Sequence, residues 1–188
     1  MKEVLIILCV WLFFSCDSPQ EYIKYHENKE IALIGQLISG KRNGEWISYD
    51  SSGRKLATYF YQDDTLRLRR QYINELLFAE EEMNGEHVKH GVTTTYYKNG
   101  TVESETSYVE NRQVGSQMFY NPNGKISSKY IERNNESIKF YQYHENGELF
   151  VYADNLQNGV VNIHDTLGNK VYELLYKNGE LIDTLKSY

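Results

Sequence analysis

Apolar and aromatic residues in this chain come in short runs rich in Ile, Val, Leu, Phe, Thr and Tyr, such as residues 55–61, 101–108 and 149–152. Polar turn residues bound each run. Asp50-Ser51-Ser52-Gly53, Lys98-Asn99-Gly100, Asn121-Pro122-Asn123-Gly124 and Glu145-Asn146-Gly147 read as hairpin turns, because the final glycine can supply the positive φ that closes a tight loop. A second polar loop follows each pair of runs, as at Gln62-Asp63-Asp64, Glu110-Asn111-Arg112 and Arg133-Asn134-Asn135. The pattern predicts strand, turn, strand, turn, which is one β-hairpin per unit. Two stretches depart from it. Residues 4–14 are continuously apolar, and residues 17–30 are polar and rich in Glu, Lys and Asn, reading as a tether.

The units recur in register. Gly44, Tyr49 and Gly53 are matched by Gly91, Tyr96 and Gly100, and again by Gly115, Tyr120 and Gly124. Tyr143 and Gly147 keep the second and third positions behind Ile138; Gly159 and Gly168 keep the first and third around His164. Arg67, Tyr72 and Leu76 keep only the tyrosine, where a copy is due. Starts at 44, 67, 91, 115, 138 and 159 advance by 23, 24, 24, 23 and 21 residues. A lone hairpin is marginal in water, so the units must pair edge to edge. The expected fold is all-β: an elongated, single-sheet, solenoid-like antiparallel meander of about six stacked hairpins, each advancing the sheet by about 10 Å. Recurrent tyrosines are expected to stack on one face as a ladder.

Glycine, four residues, tyrosine, three residues, glycine at this period resembles MORN repeats, in particular a bacterial variant often labelled antitoxin-like. Residues 43–50 with Gly53, Arg54 and Lys55 match best, and the resemblance covers roughly residues 33–183. It implies a hairpin-built, often curved sheet that serves as a scaffold or interaction surface, with an antitoxin or immunity partner as a lesser implication. The copy around Tyr72, Ile138 in the first glycine position and His164 in the tyrosine position depart from the motif.

At the N-terminus, Met1-Lys2-Glu3 precedes the apolar run, and Ser15-Cys16-Asp17 follows it. The run is too short for a membrane-spanning helix, which needs about 20 residues, and has the length of a signal-peptide core. Phe13-Phe14-Ser15-Cys16 resembles the lipobox of bacterial lipoproteins, in which the cysteine is acylated; Phe13 and Phe14 are bulkier than usual there. The two cysteines are Cys9, inside the run, and Cys16, so no disulfide framework follows and Cys16 reads as a lipid site. The domain reading is therefore 1–15 signal peptide, 16–30 lipidated cysteine and tether, and 31–188 repeat array. The membrane is expected as a partner through the N-terminal lipid anchor, which needs two or more chains to hold stably. Asp17 resembles an inner-membrane retention signal of enteric bacteria; the outer membrane is the expected location.

Seventeen tyrosines, 13 glycines and two prolines agree with strands and turns. A net charge of −6 argues against sequence-independent nucleic-acid binding. Catalytic chemistry is hard to find. His87 and His90 beside Glu86 have a metal-ligand look, yet His90 occupies the register position of Asn43. Glu80, Glu81 and Glu82 are strand or loop neighbours that do not converge. No nucleophile elbow, phosphate-binding glycine loop or zinc-binding His-Glu-x-x-His motif occurs, so the chain reads as a non-enzyme with no metal or cofactor. The remaining feature is aromatic. Trp46, Tyr59, Tyr61, Tyr97 and Tyr141 are the candidate binding surface, for a protein partner first and a glycan second.

Overall fold

The structure, a computed structural model, describes residues 18–133, 136–155 and 157–187. They contain no helix. Their strands form one open antiparallel sheet in chain order, each bonded to the next. These are β1 (Gln20–Tyr25), β2 (Ile31–Ile38), β3 (Lys41–Tyr49), β4 (Lys55–Gln62), β5 (Thr65–Ile73), β6 (Leu76–Met83), β7 (Lys89–Tyr96) and β8 (Val102–Val109). There follow β9 (Arg112–Tyr120), β10 (Ile126–Arg133), β11 (Glu136–Tyr143), β12 (Leu149–Ala153), β13 (Gly159–His164), β14 (Lys170–Lys177) and β15 (Glu180–Ser187). The all-β hairpin meander expected from the repeat is the observed architecture.

Turn chemistry sets the period. At one edge, residues 26–30, 50–54, 97–101, 121–125, 144–148 and 165–169 form matching five-residue loops. In each, the first N–H donates to the fifth carbonyl at 2.7–2.9 Å. The fourth position has φ between 72° and 95°, and glycine fills it in every such loop but the first, where Lys29 takes the strain. At the other edge Ser39-Gly40, Asp63-Asp64, Glu110-Asn111 and Asn178-Gly179 make two-residue turns with both φ positive, the geometry that suits twisted hairpins. The copy around Tyr72 inverts this plan. Asn74-Glu75 is a two-residue turn where a five-residue loop belongs, and residues 84–88 form a five-residue loop on the opposite edge. The shortening and the lengthening offset each other, so the period survives.

The first repeat glycine sits at an irregularity in the ladder. Between matched pairs, β3, β7 and β9 carry two residues more than the preceding strand, around Gly44, Gly91 and Gly115, all with positive φ. Where Arg67 or Ile138 replaces the glycine, β5 and β11 carry one extra residue. Such bulges increase local twist.

Two expectations need correction. Residues 20–30 are part of the sheet, not a tether: β1 pairs with β2, and Tyr25 with loop 26–30 makes a further repeat, 24 residues before Tyr49. Strand pairing explains it, since Tyr22 and Ile23 gain neighbours on opposite faces of the sheet. The array thus begins before residue 31. The expected tyrosine stack also takes a different form. Tyr49, Tyr72, Tyr96, Tyr120 and Tyr143 share one face and are half-buried, but they stand two strands, about 10 Å, apart. Between them lie side chains of the even-numbered strands: Tyr72 pairs with Leu77, Tyr96 with Val102 and Tyr143 with Leu149, while Lys55 Nζ lies 3.7 Å above the Tyr72 ring. No described ring contact joins two repeat tyrosines. The ladder alternates tyrosine with aliphatic or lysine stems.

The core lies on the opposite face, towards the N-terminal end. Trp46, Tyr61, Leu66 and Met83 are buried together, with Leu33, Leu37 and Tyr59 packed on them. Trp46 lies directly over Gly35: a β-carbon there would sit 2.1 Å from the indole. A single-layer sheet obtains a core only by laying large rings sideways over neighbouring strands, and Gly35 leaves the room for it.

Candidate interaction surface

The face that carries Trp46 also carries clustered polar and aromatic groups. At its N-terminal end is a dish of about 350 Å³ lined by residues that include Lys24, Arg42, Trp46, Ser48, Tyr59 and Glu86. The Trp46 ring contacts Tyr22 at 5.2 Å and Tyr61, edge-on, at 6.0 Å; Tyr59 and Tyr61 are 6.3 Å apart. The indole Nε1 is buried and makes no hydrogen bond among the described residues.

Arg42 organises the rim. Its guanidinium lies 4.1 Å above the Tyr61 ring, and Nη1 donates to Tyr61 Oη at 2.9 Å and to Glu86 at 2.5 Å. Its Nε and backbone N–H both reach Asp64, at 3.1 and 2.8 Å, and these bonds hold the Asp64 carboxyl below the usual carboxylate range. Tyr61 Oη donates to Glu86 at 3.1 Å; burial, then the Glu86 charge, pushes the phenol well above its ordinary value. Glu86 belongs to the displaced five-residue loop, so the irregular copy supplies the acid that closes the dish. Gly85 N–H fixes that loop on Leu66 O at 3.0 Å.

Further along the same face the surface turns polar. Glu81 is 3% exposed and accepts from Arg69 at 2.5 Å, Gln71 at 2.8 Å and Lys89 at 2.8 Å. Burial alone would push its carboxyl up, but those three donors outweigh it and hold it below the usual value. Thr93 and Thr106 are buried beside it, paired across β7 and β8. Beyond them Phe119, Tyr130 and Phe140 form a second aromatic row, with centroids 6.0 and 4.8 Å apart.

The five candidate aromatics do not form one surface. Trp46 and Tyr61 are core residues, which corrects their reading as exposed contacts: bulges at Gly44 and a side-chain-free Gly35 let these rings sink. Tyr59 is half-buried at the dish. Tyr97 stands on the loop edge and donates to Tyr120 O at 2.7 Å. Tyr141 is on the opposite face, 5.1 Å from Tyr152. His87 and His90 do not converge with Glu86 on a metal site, and no group of three metal-ligating residues occurs among the described residues. Glu80 pairs with Arg70, Glu81 with Arg69 and Lys89, and Glu82 accepts from Val92 N–H, so the acidic run is divided between partners. Sequence reading missed Tyr22, Lys24 and Arg42. The 24-residue step from Tyr25 to Tyr49 was the signal that could have drawn the first two into the array.

Cys16 and the signal-like segment lie outside the described residues. No described helix is long and apolar enough to cross a membrane.

Residues 89–110 match the MORN repeat variant family. The match covers β7, loop 97–101, β8 and Glu110, which is one hairpin unit of the sheet. No curated protein matches the chain. The matched repeat is of the kind that builds binding and scaffold modules, and an all-β sheet of such repeats is not a known enzyme family.

Proposed function

We propose that this chain is a non-enzymatic, lipid-anchored protein of the bacterial cell envelope, held through Cys16, whose repeat sheet binds a protein partner. The observation that carries this reading is the single-layer sheet itself. Among the described residues no second sheet or helix covers either face, and the charged groups around Glu81 and Arg42 are engaged in mutual ion pairs. The lipobox-like Ser15-Cys16 supports the anchor, and the outer membrane is the location proposed for it. Capture from solubilised envelopes with the full chain as bait is expected to retain one protein stoichiometrically; retention of none removes the reading. Radiolabelled palmitate is expected to enter the native chain and not a Cys16→Ala variant.

A second reading, glycan binding, is favoured by the dish at Tyr59, where an aromatic wall adjoins Lys24, Ser48 and Glu86. Retention on a polysaccharide column that is lost on Tyr59→Ala supports it, and equal elution of both proteins rejects it. Trp46 is unsuited to this test because its removal opens the core.

A further inference from the structure

The five-residue loops are cross-linked by side chains in a repeating way. The first loop residue reaches a carbonyl of the following loop: His26 Nε2 to Tyr49 O at 2.9 Å, Tyr97 Oη to Tyr120 O at 2.7 Å and His144 Nε2 to His164 O at 3.2 Å. The third residue does the same, with Asn28 to Ser51 O at 2.7 Å, Asn99 to Pro122 O at 3.2 Å and Asn146 to Thr166 O at 2.7 Å. A loop therefore presents two acceptors to its predecessor, the carbonyl just before it and that of its second residue. For loop 144–148 the second acceptor alone is met, by Lys125 Nζ, which reaches Glu145 O at 3.3 Å and Asn146 O at 3.2 Å; of the loops that follow another repeat, 97–101 is the described one with neither acceptor met.

Loop 97–101 has no such donor, because its predecessor is the two-residue turn Asn74-Glu75. No described side chain donates to the carbonyls of Tyr96 or Lys98. On the far side of the gap, loop 50–54 ends its own line: its first residue is Asp50, which accepts from Ser52 and Arg54 of the same loop. The floor of the gap is apolar and open. Ile73, Leu76 and Phe78 are 56%, 49% and 42% exposed. They line a hollow of about 300 Å³ against Tyr96, Tyr97 and Lys98, and Ile73 and Phe78 also line a neighbouring hollow towards Leu56.

We propose that this gap is the docking site for a loop of the partner protein, one that replaces the missing repeat loop. Two unfilled carbonyls call for side-chain donors such as His or Asn at first and third loop positions, and the exposed floor calls for apolar side chains at the base of the turn, as Tyr143 and Leu149 flank loop 144–148. Hydrogen-bond and apolar complementarity thus specify the same occupant, a polar-tipped turn with an apolar base. The proposal rests on the protein-binding reading above and assigns it a place.

The test uses the chain's own loop as probe: a synthetic hairpin of residues 139–152, cyclised so that the turn is held although a lone hairpin is marginal in water, which carries His144 and Asn146 in the required positions. Titrated into the ¹⁵N-labelled full chain, it is expected to shift the amides of Leu76, Phe78 and Lys98 saturably, with Kd at or below about 1 mM. In a second protein, residues 144–148 are grafted in place of Asn74 and Glu75. The graft fills the gap and is expected to weaken the peptide at least tenfold while the remaining amide spectrum is preserved. Absence of saturation, shifts confined to β1 or β15, or equal binding by the graft would overturn the proposal. If envelope capture retains the same partner on native and grafted chains, the binding function stands and this site falls.

Discussion

Replacing Gly35 by alanine is a small change with a large expected effect. Its added methyl carbon would lie 2.1 Å from Trp46 Cδ2 and 2.5 Å from Cε2 and Cγ. Carbon atoms pack favourably at about 3.5–4.0 Å, so the indole must retreat by more than 1 Å or so. The obstructing atoms belong to a rigid ring that is 3% exposed and braced by Tyr22 and Tyr61. Overpacking of this kind costs about 1–3 kcal/mol when neighbours can shift. If the ring is expelled instead, about 150–250 Å² returns to water, an upper limit of roughly 4–6 kcal/mol. Gly35→Ala is therefore expected to destabilise the sheet by about 2–4 kcal/mol, between these limits. Tryptophan emission reports it, since Trp46 is the one tryptophan after residue 11. Urea unfolding should show a lower midpoint with a red-shifted native spectrum. In a Trp46→Leu background the same alanine should be neutral or stabilising, because glycine in a strand costs about 0.5–1 kcal/mol relative to alanine. A native midpoint and unshifted emission for Gly35→Ala would refute the seating argument.

Other expectations follow from the same face and edge. Glu81 has a folded-state pKa below its unfolded one, so its stabilising contribution is present above the unfolded value and lost as pH falls through the folded value. Acid unfolding monitored by circular dichroism should therefore begin at a higher pH in native protein than its neutral-pH stability alone implies, and Glu81→Gln should flatten that dependence. The same variant should lose about 3 kcal/mol at pH 7 by leaving Arg69 and Lys89 short of a carboxylate; unchanged stability would count against a structural role for the network. Asn99→Ala removes the bonds to Pro122 O and from Thr101 N–H and should cost about 1 kcal/mol in chemical denaturation, with faster amide exchange in loops 97–101 and 121–125.

The strands, the turns and the repeat period were legible in the residues because each is a local matter. A glycine four residues after a tyrosine closes its own loop, and alternating side chains declare a strand, wherever the unit sits in space. Lys29 shows the limit of that reading: with lysine in the glycine position, the first copy passed for a tether until strand pairing revealed it. The proposed binding surface was less legible. Bulges of one or two residues shift which side chains share a face, so the adjacency of Trp46, Tyr59 and Tyr61 to Arg42 and Glu86 depends on register that no single strand encodes. Gly35 carries no side chain by which to announce that it seats an indole. The copy around Tyr72 looked merely degenerate in sequence, whereas in space it moves a loop from one edge to the other. That move opens the gap at Leu76 and brings Glu86 to the rim. Local chemistry thus determined that this chain is a hairpin array. Only the pairing of distant strands decided which rings are core, which carbonyls lack side-chain donors and where the gap proposed for a partner lies, because those depend on relative position across strands rather than on order along one.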